Sequence, residues 1–260
     1  MMIIKLLKFD LEYAKELMEE NFKFLKQEYP ALLKEVARFE VFINEVVGYL
    51  SKFSRVRNDC LPLTFTLLVL PFTYYVTYML LLGSVPLASY ALRTILEAVE
   101  LAVHADLSKL KKLSLGKRVE ALKRTRPSEV VGSSLRNAFI KAFPQEAEEA
   151  TKTLEDLYQA LSAFVHPFAE VRFKESGEEY GAGIVKMALI TIGSTGELPP
   201  YVYYPSSYKK HDLEDLKYFH VYLKMTGTAV DRLIRTWAKL KGLPGELKEY
   251  INILSEVDRN

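Results

Sequence analysis

The sequence predicts a mainly α-helical fold: a helical bundle with a small β-hairpin or irregular β insertion around residues 169–205. Three observations carry that prediction. Apolar residues recur every three to four positions over most of the chain, the spacing of one helix face. Prolines and glycines fall at the joints between these stretches. Residues 168–210 alone turn β-branched and aromatic, with Gly, Ser and Pro between the runs. The 260 residues read as one helical domain. It comprises an N-terminal helical hairpin (1–58), a bundle core (60–167), the insertion (168–210) and C-terminal helices (211–260).

Each element has a local reason. Asp10 suits the N-cap of a helix from Leu11 to Glu28. Pro30 breaks the chain and restarts it, because proline fits a first turn. From Ala31 to about Val56, the residues Leu33, Val36, Phe39, Phe42, Val46, Leu50 and Phe53 keep helical spacing. These two helices should form an antiparallel hairpin. The apolar segment 62–82 is a third helix, and Pro86 opens a fourth that runs to His104 or Asp106. A short basic helix follows near 115–125. Ser128 caps a helix through Phe143, and Pro144 starts a long one from Gln145 to His166 that Pro167 stops. In the insertion, FAEVRF, GIVKMALITIG and PYVYYP read as two or three short strands or an ordered flap, and GIVKMALITI also fits a short helix. Asp212 caps a long helix to about Leu240, ended by Gly242 and Pro244, and a last helix spans 245–256.

Composition narrows the function classes. Hydrophobic residues at 49% and charged residues at 26% are a globular balance and argue against disorder. A net charge of +2 gives no global field for nucleic acid, so only local patches can bind it. Cys60 is the single cysteine. It cannot staple the chain or build a cysteine-rich zinc site, and it fits a reducing, cytoplasmic compartment. The apolar run of MMIIKLLKFD is too short for a signal peptide, and no small-residue cleavage site follows. Only three glutamines among many Lys and Glu lean towards a thermophilic source. No charged residue occurs from Cys60 to Leu92, and PLTFTLLVLPFTYYVTYMLLL is long enough to span a bilayer. Pro62, Pro71, Pro86 and the Gly83-Ser84 break favour a buried bundle helix instead. Membrane association stays as the alternative.

The fourth helix holds the first candidate site. At about 100° per residue, Arg93, Glu97, Glu100 and His104 share a band of about 60° on an otherwise apolar helix. One reading is the wet edge of a buried helix, with Arg93–Glu97 and Glu100–His104 as i,i+4 pairs. The other is an inward polar network whose charges pair one another, with a histidine able to act as acid or base. The helix ending LYQALSAFVHP repeats the spacing with Glu155, Gln159, Ser162 and His166. If the two lines face each other, they form a polar seam. Glu100, His104 and His166 are the set that could hold a metal, although the Glu-x-x-His pairs of di-metal bundles are absent. No cofactor is expected. No phosphate loop, zinc-protease helix or nucleophile elbow is present.

Two basic segments are candidates for nucleic acid. Residues 109–128 hold eight cations, Lys109, Lys111, Lys112, Lys117, Arg118, Lys123, Arg124 and Arg126, against one acid, Glu120. Such segregation favours phosphate contact, and a solvated helix pairing with Glu146, Glu148 and Glu149 is the plain alternative. Residues 201–211 interleave Tyr201, Tyr203, Tyr204 and Tyr208 with Lys209, Lys210 and His211, which suits stacking on single strands, or core packing.

Together, SYALRTILEAVE and LYQALSAFVHP resemble prokaryotic HEPN-like helical proteins. In that group an Arg-x-x-x-Glu helix precedes one ending Tyr-x-x-Leu-Ser-x-x-x-His-Pro. The resemblance covers about residues 88–170 and is carried by Arg93, Glu97, Ser162 and His166. It implies a bundle, a homodimer, and RNA-directed activity in defence or stress. The usual ribonuclease motif, Arg followed after four to six residues by His, is absent. The preferred expectation is thus an HEPN-like protein in a nucleic-acid context. In it His104 or His166 would be the base, Arg93 would meet phosphate charge, and the glutamates would orient them. The alternatives are a ligand- or metal-binding bundle using the Glu/His seam, and a structural or membrane-associated protein without catalysis.

Overall fold

The computed structural model describes residues 11–52, 58–125, 127–165, 170–175, 178–183 and 207–243. The fold is mainly helical. Helix α1 (Leu11–Glu28) and helix α2 (Pro30–Ser51) are joined at Tyr29, with Pro30 at the start of α2 as expected for a residue lacking an N–H. Helix α3 covers Cys60–Leu81 and α4 covers Val85–Leu107. A 3-10 turn (Lys109–Lys112) leads to α5 (Leu115–Leu122). Helix α6 runs through residues 127–142, α7 is Ala147–Val165 and α8 is Leu213–Leu240.

Helix α4 is the centre of the bundle. Helices α3, α7 and α8 all pack on it, and α8 also rests on α2 and α7. Ala88, Ala91, Leu92, Ile95, Leu96, Val99 and Val103 of α4 are fully buried. They meet one continuous core that includes Leu25, Ile43, Phe65, Leu157, Phe219 and Trp237. Small residues at positions 88 and 91 let neighbouring helices approach closely, and the larger ones fill the remaining space.

Proline changes the hydrogen bonding of α3 without ending it. Pro71 has no N–H to give the carbonyl four residues back. The chain answers with a π-helical stretch, Phe65–Val69, where the Leu70 N–H reaches the Phe65 carbonyl. A similar stretch, Val130–Leu135, lies within α6. Helix α3 is the one helix among the described residues with the length and composition to cross a membrane. One face, with Phe65, Val69, Val76 and Leu80, is buried on the bundle, while Leu63, Leu67, Tyr74, Tyr75 and Tyr78 are exposed.

Several boundaries differ from those expected. Helix α2 ends at Ser51, and α7 starts at Ala147 after a turn over residues 144–146. Ser128 lies inside α6 and not ahead of it. Asp212 precedes α8 but gives its carboxylate to the Lys209 N–H at 2.7 Å. Glu170–Glu175 (β1) and Glu178–Gly183 (β2) pair antiparallel, with Glu170 opposite Gly183 and Glu175 opposite Glu178. Two such strands are too few for a sheet that stands alone. They do not establish the expected insertion, since residues 184–206 lie outside the described residues. So do the Asp10 cap, Phe53 and the helix expected over 245–256.

Candidate functional site

The ionisable stripe of α4 faces protein along most of its length. Arg93 is buried, and its Nε donates to Glu97 Oε1 at 2.7 Å. Its Nη2 donates to the Tyr158 hydroxyl of α7 at 3.0 Å, and the guanidinium carbon sits 4.8 Å from the Tyr158 ring centroid. The cation is thus held by a carboxylate, a phenol and a π face together. Glu100 is 0% exposed, and neither carboxyl oxygen has a hydrogen-bond partner among the described residues. Burial pushes its carboxyl well above the usual range; the Glu97 charge adds to this and Arg93 opposes it. Burial and the neighbouring Glu97 charge thus favour the protonated form of Glu100 over the charged one. Its expected pairing with His104 is not formed. His104 is half-buried and its Nδ1 lies 2.8 Å from Ser134 Oγ, in the π-helical part of α6. Burial lowers the imidazole below its ordinary value.

The second stripe behaves differently. Helix α7 packs on α4, but through Tyr158; Glu155 and Gln159 are exposed. Over these two residues the stripes do not share a seam. Ser162 stands in the last turn of α7, and His166 lies outside the described residues. No group of three or more His, Cys, Asp and Glu able to hold a metal occurs among the described residues, so Glu100 and His104 are not part of a larger ligand set there.

The basic segment splits into two roles. Arg118 is only 8% exposed. Its Nη1 donates to Asp106 Oδ1 at 3.0 Å and lies 3.6 Å from Asp59 Oδ1, while its Nε reaches the Leu113 carbonyl at 3.0 Å. It is an anchor and is not available to phosphate, which corrects its expected role. Lys109, Lys111, Lys112, Lys117, Lys123 and Arg124 are exposed, and Lys123 pairs with Glu120 at 2.7 Å. Glu149 pairs with Arg232 of α8 at 2.8 Å. Arg126 and Tyr204 lie outside the described residues, and Lys209 and Lys210 are exposed. Tyr208, expected among the stacking tyrosines, is buried. Its N–H donates to Asn21 Oδ1 at 2.7 Å and its hydroxyl to the Leu80 carbonyl at 2.8 Å.

Asp106 went unremarked in the sequence because it looked like a helix end. It lies about 140° round α4 from the stripe. Its Oδ1 accepts from the Cys60 N–H at 2.8 Å and from Arg118; its Oδ2 accepts from the Leu61 N–H at 3.0 Å and Trp237 Nε1 at 3.2 Å. It caps α3 from a distance, placing negative charge where the helix exposes its first N–H groups. Burial raises its carboxyl and the two backbone donors pull it back. Nearby, burial pushes the Cys60 thiol up to about 11, so the cysteine stays protonated and inert. The signal available in the sequence was a lone charge on the apolar side of α4.

Comparison with known proteins adds no relative: no family model, no curated protein and no solved structure matches the chain. The HEPN-like resemblance rests on its two short motifs.

Proposed function

We propose that this protein is an HEPN-like helical bundle that contacts RNA or another nucleic acid, as a cytoplasmic homodimer in a defence or stress setting. The observation that carries the reading is the exposed basic segment. Six cations stand in solvent over residues 109–124 with one acid among them, on a segment held to the core by buried Arg118. A cationic edge on an anchored segment attracts a phosphate backbone and releases counterions there. In this reading Lys209, Lys210 and Tyr204, following the small β insertion expected around 169–205, are a second contact region, since neighbouring Tyr208 is tied to Leu80 at the far end of α3 from the basic segment. Arg93, Glu97, Glu100 and His104, with Ser162 and His166, form the polar centre behind it.

The test is binding of a labelled single-stranded RNA across a salt series. Replacing Lys117, Lys123 and Arg124 by Glu should weaken binding at least about 10-fold and flatten the salt dependence by about 0.7 per lost phosphate contact. These residues are exposed, so the variant should melt like the parent. Unchanged affinity would sink the proposal. A second reading, a bundle that binds a small polar ligand, is favoured by one observation: the two Glu100 oxygens are buried without a partner among the described residues, and such groups are normally satisfied.

A further inference from the structure

Helices α6, α7 and α8 leave between them a cavity of about 240 Å³. Phe139 and Phe143 supply an aromatic wall, and Arg232, Arg235 and Thr236 of α8 supply a polar one. An engineered pocket of about 150 Å³ holds benzene, so this space admits a ring carrying one substituent.

Three features of the polar wall point to an occupant. Arg232 and Arg235 stand three residues apart and share one face of α8. Arg232 Nη2 already holds a carboxylate, that of Glu149 at 2.8 Å, but Glu149 is 71% exposed and free to swing away. An exposed ion pair of this kind is weak, so a ligand carboxylate can replace it at little cost. Thr236 is the third feature. Helical threonines elsewhere in the chain, including Thr73, Thr94, Thr151, Thr226 and Thr228, donate to the carbonyl four residues back. Thr236 does not; its hydroxyl is buried, without a partner among the described residues. A buried hydroxyl left unmade is costly, and a turn of the Thr236 side chain about its Cα–Cβ bond would present it to a ligand oxygen in the cavity.

We infer that this cavity binds a small organic carboxylate with an aromatic or compact apolar body. The carboxylate takes the place of Glu149 on Arg232 and lies beside Arg235, Thr236 turns to donate to it, and the body packs on Phe139 and Phe143. The cavity also carries Glu146 and Asp231, and Asp231 accepts from Arg235 Nε at 3.1 Å. That near-neutral balance favours a singly charged ligand over a phosphate, whose second charge would meet two carboxylates.

Benzoate is the probe, followed by thermal melting and titration calorimetry of the full chain. The melting temperature should rise saturably with benzoate, and not with benzamide, inorganic phosphate or chloride at matched ionic strength. Arg232→Gln and Arg235→Gln should each weaken binding at least about 10-fold. Thr236→Val should weaken it while the protein stays folded. Glu149→Gln should strengthen it several-fold, because it removes the competing carboxylate. A shift shared by benzamide or chloride, a shift retained in Arg232→Gln, or weaker binding in Glu149→Gln would each overturn the inference. The cavity shares no residue with the basic segment, so Arg232→Gln should leave RNA affinity unchanged, and either proposal can fail alone.

Discussion

Glu100 sets a cost that the rest of α4 must offset. Its folded carboxyl is raised by burial, so the folded state keeps a proton that the unfolded chain releases. Its contribution is therefore favourable at acid pH and lost as pH rises from the unfolded carboxyl value through the higher folded one. Glu100→Gln cannot ionise and should escape that loss. Thermal melts across pH should show the variant matching the parent in acid and exceeding it at neutral pH; a variant that melts lower at neutral pH would show that the ionised form is held by the fold. His104 runs the other way. Its folded imidazole is lowered, so stability is present above the unfolded value of about 6.5 and falls as pH drops below it. Between the two unfolded values the effects oppose each other, so Glu100→Gln should remove the loss on the alkaline side and leave the fall due to His104 in place.

At the scale of elements, α3 shows how one uncharged stretch can hold two environments. Phe65 is fully buried and Leu67, two residues on, is 68% exposed. Phe65→Ala should cost about 3–5 kcal/mol in denaturant titrations. Leu67→Lys should change stability by less than about 0.5 kcal/mol in aqueous buffer. Similar losses for both would mean that the outer face is covered. The stretch also marks where sequence reading works and where it stops. Helix periodicity located α1 to α4, α7 and α8 within a few residues, because apolar spacing is a local signal. Their ends were less legible. Asp59, Ser84 and Asp212 occupy N-cap positions, yet none makes a side-chain cap bond to its helix. The first turn of α3 is capped by Asp106, more than forty residues away, which no local rule can anticipate. The candidate site divides in the same manner. Arg93–Glu97 is an i,i+4 pair and was readable, whereas Arg93–Tyr158 and His104–Ser134 join different helices. Arg118 was counted with the surface cations because residue type alone does not reveal that an acid waits in the core for it.

For the whole molecule, the contacts of Asp106 gather distant parts of the chain around one carboxylate. Cys60 and Leu61 precede it, Arg118 follows on the next helix, and Trp237 comes 131 residues later. Lys241, just past α8, reaches Asp59 beside it at 2.7 Å. Asp106→Ala should cost about 3–5 kcal/mol, since it leaves buried Arg118 with only the longer contact to Asp59 at 3.6 Å and strips the acceptor from the Cys60 and Leu61 N–H groups and the Trp237 indole. Trp237→Phe, which removes the donor and also leaves part of the indole's buried space empty, should cost about 2–3 kcal/mol. Equal losses in chemical denaturation would mean that packing of the ring, and not its N–H, is what matters. The arrangement also has a consequence in time. A ribosome delivers residues 59–118 long before residue 237. Until then the nascent chain holds this carboxylate with one donor missing and α4 without its largest neighbour. Final closure thus waits for the last long helix, and a chain cut short before Trp237 should emerge as a loose intermediate, open to proteases, however complete its earlier helices are.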